Sequence, residues 1–81
     1  MLSELKESGK VVGAKQVRRA LTDGRARTVF VALDADSRIT EPVLELARQQ
    51  SVPVQQVASM KELGSACSVA VGSAVAALLA Q

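Results

Sequence analysis

The chain is nearly without aromatic side chains: Phe30 is its one aromatic residue, and tryptophan and tyrosine are absent. RNA-recognition motifs and OB folds bind nucleic acids by stacking bases on exposed aromatic rings. A chain with a single aromatic residue cannot build such a platform, so the composition excludes both of these classes.

Sulfur and imidazole ligands are equally scarce, since Cys67 is the one cysteine and histidine is absent. A lone cysteine excludes an intrachain disulfide framework and suits a reducing compartment, so we expect a cytoplasmic protein. We expect Cys67 to be a small core residue, and we expect neither a metal nor a cofactor. No signal peptide is apparent, and the longest apolar run, residues 74–80, is far too short to span a bilayer. No membrane partner is therefore expected.

The chain does contain enough apolar surface for one core. Its 81 residues are 48% hydrophobic, mostly valine, alanine and leucine. This length and composition predict one small domain over residues 1–81, which we expect to be a monomer.

Positive charge is concentrated in residues 10–27. That segment holds six basic residues against the single acid Asp23, a local balance of +5, while the whole chain carries +2. The rest of the chain is therefore about −3, and such asymmetry is typical of a protein with a polyanionic partner on one face. An ordinary solvated basic surface is the alternative.

Helical and extended segments alternate along the chain. We predict helices at residues 2–8, 14–23, 40–50 and from the capping box of Ser59 and Glu62 to about Cys67, and strands at 10–12, 28–33, 52–57 and 74–79. Thr40 is the expected N-cap of the third helix, and Gly24 ends the second. The alternation predicts an α/β protein, a three-layer α/β/α sandwich around a small mixed sheet of about four strands.

A glycine turn at Gly13 leads directly into a basic helix. At 100° per residue this helix places Ala14, Val17 and Leu21 on its apolar side and Lys15, Gln16 and Arg19 on its polar side. Lysine and arginine supply charge for phosphates, and both, like glutamine, can hydrogen-bond to purine edges. The N-terminal amides of a helix add positive partial charge. These features favour RNA binding, and a plain solvent-facing helix side is the alternative.

Residues 68–73 form a connection of small and apolar residues, where polar turn residues are more usual. Val69, Ala70 and Val71 could form an apolar surface against which an unstacked base lies. The alternative is that the two valines begin the last strand and point into the core.

Three segments together resemble the kink-turn RNA-binding ribosomal proteins of the L7Ae and L30e superfamily, in particular its short bacterial members. They are residues 12–21 (VGAKQVRRAL), 31–36 (VALDAD) and 59–74 (SMKELGSACSVAVGSA), in this order and at suitable separations. The resemblance covers nearly the whole chain.

The resemblance implies binding to a sharply bent helix–bulge–helix RNA that contains tandem sheared G·A pairs. Lys15 and Gln16 would contact guanine edges, and Arg19 would contact the nearby RNA. Gly13 and Ala14 would form the helix tip, where the glycine lets the backbone come close. The partner would be ribosomal RNA, a riboswitch or a small structured RNA, with the ribosome itself a candidate.

The same resemblance implies that residues 69–71 pack apolar side chains around bulged nucleotides. The family often carries Ile-Glu-Val after a glycine here, whereas this chain has Val69-Ala70-Val71 after Ser68. Any contact made by that glutamate is therefore lost. Many archaeal and eukaryotic relatives place Asn-Glu where this chain has Lys15-Gln16, a difference that affects selectivity.

Two other functions fit parts of the sequence. Asp34 and Asp36 follow a predicted buried strand, as the carboxylates of magnesium-dependent phosphoryl-transfer enzymes do. The chain is too short for the other motifs of that class and has Arg38 where a hydroxyl residue is usual, so we prefer a turn beside a helix and expect no catalytic residue. The other alternative is a non-catalytic protein-interaction module of the same fold with weak RNA affinity, for which Ala70 and the modest net charge leave room.

Overall fold

The computed structural model describes residues 9–67 and 72–80. Within them the chain forms, in order, β1 (Lys10–Val12), α1 (Ala14–Thr22), β2 (Ala26–Ala32), α2 (Ser37–Gln49), β3 (Val54–Val57), α3 (Met60–Ala66) and β4 (Val75–Leu79). The helix predicted at residues 2–8 lies outside the described residues. None of the three described helices is long and apolar enough to cross a bilayer.

The four described strands form one mixed sheet in the order β1-β4-β2-β3. Strand β4 runs antiparallel to both β1 and β2, whereas β3 runs parallel to β2. Strand β3 is an edge strand and begins just after Pro53, which has no N–H to donate to a ladder. The Pro53 carbonyl accepts a hydrogen bond of 3.0 Å from the amide of Val29.

Successive residues of the two central strands point to opposite faces of the sheet, and each face is covered. One face carries Phe30, Ala32, Ala76 and Leu78 against α3, and the other carries Val29, Val31, Val75 and Ala77 against α1 and α2. Because both faces are covered there, β4 and the second half of β2, from Val29 to Ala32, are apolar at every position. The predicted three-layer α/β/α architecture is confirmed.

Helix α2 begins one turn earlier than the sequence predicts, so the assignment of Thr40 as its N-cap is wrong. The cap is Asp36, whose carboxylate accepts a hydrogen bond of 2.9 Å from the amide of Arg38. Thr40 is instead a buried helical residue. Pro42 consequently lies inside the helix, where it lacks the N–H that would otherwise bond to the carbonyl of Arg38.

Strand β2 also differs at its ends from the predicted 28–33. It begins at Ala26, where it pairs with Leu79, and it ends at Ala32. Leu33 follows the strand and is 61% exposed, although its amide still donates to the carbonyl of Val57. The apolar segment 28–33 therefore extends one residue beyond the buried part of β2.

Cys67 closes α3 and is buried in the cluster on that side of the sheet, as predicted. Burial raises the pKa of its thiol, because the thiolate would lose its hydration there. The thiol behaves as a small apolar group at neutral pH.

Candidate nucleic-acid interface

Helix α1 begins at a backbone geometry that favours glycine. Gly13 has φ 100° and ψ 149°, a region that residues with a Cβ rarely adopt. Its amide donates to the carbonyl of Val75 at 3.1 Å, and its carbonyl accepts the first helical bond from Val17 at 2.9 Å. A Cβ at Gly13 would meet no heavy atom within 4 Å. The turn is thus anchored to β4 on one side and open on the other.

The polar side of α1 is cationic along its whole length. Lys15, Gln16, Arg18 and Arg19 are exposed, while Val17, Ala20 and Leu21 are buried against the sheet and α2. No acidic residue occupies the first turn, and no side chain of the described residues caps the helix. The positive end of the helix dipole therefore adds to the charge of Lys15, which favours a bound anion.

The exposed side chains of α1 are ordered across the helix. Lys15 and Arg19 are four residues apart and form a central row, with Gln16 on one side of it and Arg18 on the other. Ala14 has a different role from its polar neighbours, because its half-buried side chain packs against the core. Arg18 belongs to the same charged surface although the sequence motif assigns it no part. The helical spacing alone could have indicated this.

The end of the 68–73 connection lies beside the tip of α1. The carbonyl of Val75 accepts both the amide of Gly13 and, at 2.7 Å, the hydroxyl of Ser73. The amide of Ser73 donates to the carbonyl of Met60 at the start of α3. The described end of the 68–73 connection and the start of α1 therefore meet at the beginning of the central strand β4.

Residues Val69, Ala70 and Val71 lie outside the described residues, as does Ser68. Their flanks are fixed on both sides: Cys67 is buried, and Gly72 turns at φ 89° against Met60. The contact of residues 69–71 with bulged nucleotides stays a prediction. The same holds for the contacts of Gly13, Lys15, Gln16 and Arg19.

The remaining basic residues of the 10–27 segment are less closely grouped. Arg25 lies beyond the C-terminal end of α1, where it forms an ion pair of 3.6 Å with Asp23, and its carbonyl accepts a bond from Ala80. Arg27 is exposed on β2. The charge density is therefore highest on α1 itself.

Each of the two aspartates that follow β2 accepts a hydrogen bond from a backbone amide at the start of a helix. Asp34 accepts a hydrogen bond of 2.7 Å from the amide of Met60. Asp36 caps α2 and pairs with Arg38 at 2.8 Å, and this guanidinium holds the pKa of Asp36 below its ordinary value of 3.8. Within residues 9–67 and 72–80, no group of three or more metal-ligating side chains comes together. The position of Asp36 matches the predicted turn beside the start of α2, although its role as the N-cap was not predicted.

The fold and the start of α1 together define an α/β/α protein with an exposed cationic surface at the N-terminal end of this helix. Residues 1–81 match the Ribosomal protein L7Ae/L30e/S12e/Gadd45 family. An RNA-binding protein of Geobacillus sp. (strain WCH70) is 50% identical over 74 residues, which is 90% of each chain. The RNA-binding protein YbxF of Geobacillus stearothermophilus is 50% identical over the same share. Among solved structures, the Giardia lamblia 15.5kD RNA binding protein matches with a TM-score of 0.91 at 27% identity, over 99% of this chain and 71% of that one.

The chain belongs to the L7Ae/L30e/S12e/Gadd45 family. This membership confirms the resemblance and the fold that it implies. Membership of this family, together with the similarity to RNA-binding proteins, indicates a non-enzymatic RNA-binding protein. The magnesium-dependent enzyme is thereby set aside.

Proposed function

We propose that this chain, an RNA-binding protein of the L7Ae/L30e type, recognises kink-turn RNA and stabilises its bent form. The observation that carries the proposal is the hydrogen bond between the amide of Gly13 and the carbonyl of Val75. It holds the cationic tip of α1 beside the end of the 68–73 connection, so one bent ligand can contact both.

The tip of α1 provides two kinds of contact in the proposed complex. Gln16 and Lys15 hydrogen-bond to guanine edges of the sheared pairs, which distinguishes them from other base pairs. Arg19 lies one turn further along the same row and neutralises phosphates that crowd at the bend. Because Gly13 has no side chain and open space beside it, the RNA backbone can approach the helix amides directly.

The mechanism is selection of one RNA conformation. A kink-turn exchanges between open and bent states, and a protein shifts this equilibrium only through its different affinity for the two. In the proposed complex, residues 69–71 contact the nucleotides that the bend extrudes. An open duplex offers no such nucleotides, so it binds through its phosphates alone.

The cellular setting that we propose follows from the same features. The protein acts as a monomer in the cytoplasm, because a single domain carries both contact segments and the buried thiol of Cys67 suits a reducing compartment. Its partner is ribosomal, riboswitch or small structured RNA, and it can act on the ribosome or away from it.

A binding titration against two RNAs tests this function. One RNA contains a bulge followed by tandem G·A pairs, and the other is a straight hairpin of equal length and charge. At equal salt we expect the kink-turn RNA to bind roughly 10- to 100-fold more tightly, the discrimination expected of one well-placed base contact. Fluorescence transfer between the two RNA ends should rise as protein is added. Equal affinity for both RNAs would reduce the function to general polyanion binding.

A further inference from the structure

The carboxylate of Asp34 joins two elements that are distant in sequence. Asp34 directly follows Leu33 at the end of β2, and its Oδ1 accepts a hydrogen bond of 2.7 Å from the amide of Met60, 26 residues later. Met60 is the first residue of α3. The bond therefore connects the C-terminal end of β2 to the start of this helix.

Helix α3 has an N-cap of its own in addition to this bond. Ser59 is already its N-cap, and the Ser59 hydroxyl accepts the amide of Glu62 at 3.1 Å. A first-turn amide such as that of Met60 has no partner within its own helix and is commonly left to solvent. The contribution of Asp34 is therefore to fix where α3 begins relative to the sheet.

The position of Met60 in turn determines the position of the chain before β4. The Met60 carbonyl accepts the amide of Ser73 at 3.0 Å, and Gly72 packs against the same residue. The Ser73 hydroxyl donates to the carbonyl of Val75, which also accepts the amide of Gly13. A continuous path of hydrogen bonds thus leads from Asp34 through Met60 and Ser73 to the tip of α1.

We propose that Asp34 is a positioning residue for RNA recognition: it sets the 72–75 segment against the tip of α1 without touching the RNA. This inference rests on the proposed function. It also gives a role to an exposed carboxylate that lies near the proposed RNA-binding surface. By charge alone, Asp34 should weaken RNA binding, so its removal should strengthen binding unless geometry is lost.

Two aspartates allow charge and geometry to be separated. Asp34→Ala and Asp23→Ala each remove one negative charge, but Asp23 lies at the opposite end of α1, where it forms an ion pair with Arg25. Asp34→Asn removes the charge and keeps an oxygen acceptor for the Met60 amide. Each variant is titrated with the kink-turn RNA and with the straight hairpin, after circular dichroism establishes that it is folded.

We expect Asp34→Ala to bind the kink-turn RNA about tenfold more weakly, while its affinity for the straight hairpin stays equal or rises. Asp34→Asn should retain most of the wild-type discrimination. Asp23→Ala should bind both RNAs at least as tightly as the wild type. A merely structural role for Asp34 would not change the ratio of the two affinities in a folded variant.

Wild-type discrimination in folded Asp34→Ala, or an equal loss in Asp34→Asn, would overturn the inference. If Asp34→Ala does not fold, Asp34→Ser is tested in its place. Serine is common in turns, but its side chain is one bond shorter than that of aspartate, so its hydroxyl does not reach the Met60 amide. The same loss is expected, and full discrimination overturns the inference. If the wild type itself fails to distinguish the two RNAs, the proposed function falls first, and the role of Asp34 falls with it.

Discussion

Gly64 in α3 and Gly72 before β4 are in direct backbone contact: a Cβ on Gly64 would lie 2.4 Å from the Cα of Gly72. Real Cβ atoms do not approach backbone atoms so closely. The contact brings the middle of α3 against the same segment that Met60 holds through Ser73. Glycine at position 64 is therefore required by packing.

Gly64→Ala should accordingly destabilise the protein. Alanine favours a helix over glycine by about 1 kcal/mol, but forcing a methyl group into a closed contact costs about 1–3 kcal/mol, and here the opposing atoms are backbone. We expect a net loss of stability and a melting temperature lower by several degrees, roughly 4–8 °C per kcal/mol in a domain of this size. Gly9→Ala is the matched control, because a Cβ there meets nothing within 4 Å. A more stable Gly64→Ala protein would contradict the packing argument.

Gln16→Ala should reduce affinity for kink-turn RNA by about 10- to 100-fold, or about 1–3 kcal/mol, because it removes a base-reading amide. Binding to the straight hairpin should hardly change. The measurement is a gel-shift titration with both RNAs. Gln56→Ala, which truncates an exposed glutamine on edge strand β3, serves as the control. Unchanged kink-turn affinity in Gln16→Ala would exclude the base contact.

Arg19→Gln should weaken binding to both RNAs alike, because a phosphate contact carries no sequence information. The slope of log Kd against log salt concentration should fall by about 0.7–0.9, the value for one released counterion. Arg48→Gln removes an equal charge from α2, where Arg48 pairs with Glu45, and should leave the slope nearly unchanged. Equal slopes for Arg19→Gln and the wild type would place Arg19 outside the contact surface.

Asp36→Ala should lower the melting temperature at neutral pH, since it removes the cap of α2. The Arg38 guanidinium depresses the pKa of Asp36 below 3.8 in the folded state. Its contribution is therefore fully present above that value and is lost as the pH falls through the lower, folded-state pKa. The difference in melting temperature between wild type and Asp36→Ala should narrow in this acidic range, as thermal unfolding at a series of pH values would show. A constant difference down to strong acid would assign the effect to something other than this charge.

Patterns that are local in sequence predicted much of the fold. The alternation of helix and strand signals, the capping box at Ser59 and the glycine at position 24 each depend on residues a few positions apart. The start of α2 was mispredicted because Thr40 before Pro42 imitates a helix start, whereas Asp36 makes the actual cap. Leu33 was predicted to belong to the buried strand, because an apolar sequence does not show where the helices that cover the sheet end.

The local features of the candidate site could likewise be predicted from the sequence, whereas its long-range contacts could not. In any helix, residues at positions 15, 16 and 19 lie on one side. The basic surface formed by Lys15, Gln16 and Arg19 could therefore be predicted from the sequence alone. The bonds of Gly13 to Val75 and of Asp34 to Met60 join residues that are far apart along the chain. Sequence periodicity does not reveal such pairs, so the contacts of Gly13 with Val75 and of Asp34 with Met60 could be found only in the three-dimensional structure.

The central position of β4 has a consequence for synthesis. This strand lies between β1 and β2 but is translated after both. A nascent chain that has not yet reached residues 75–79 cannot close the sheet, and the carbonyl that anchors Gly13 does not exist. The basic helix can form earlier, but its fixed partner surface cannot. The hydrogen bond that fixes the start of α1 to the sheet is therefore completed only after β4 has been translated.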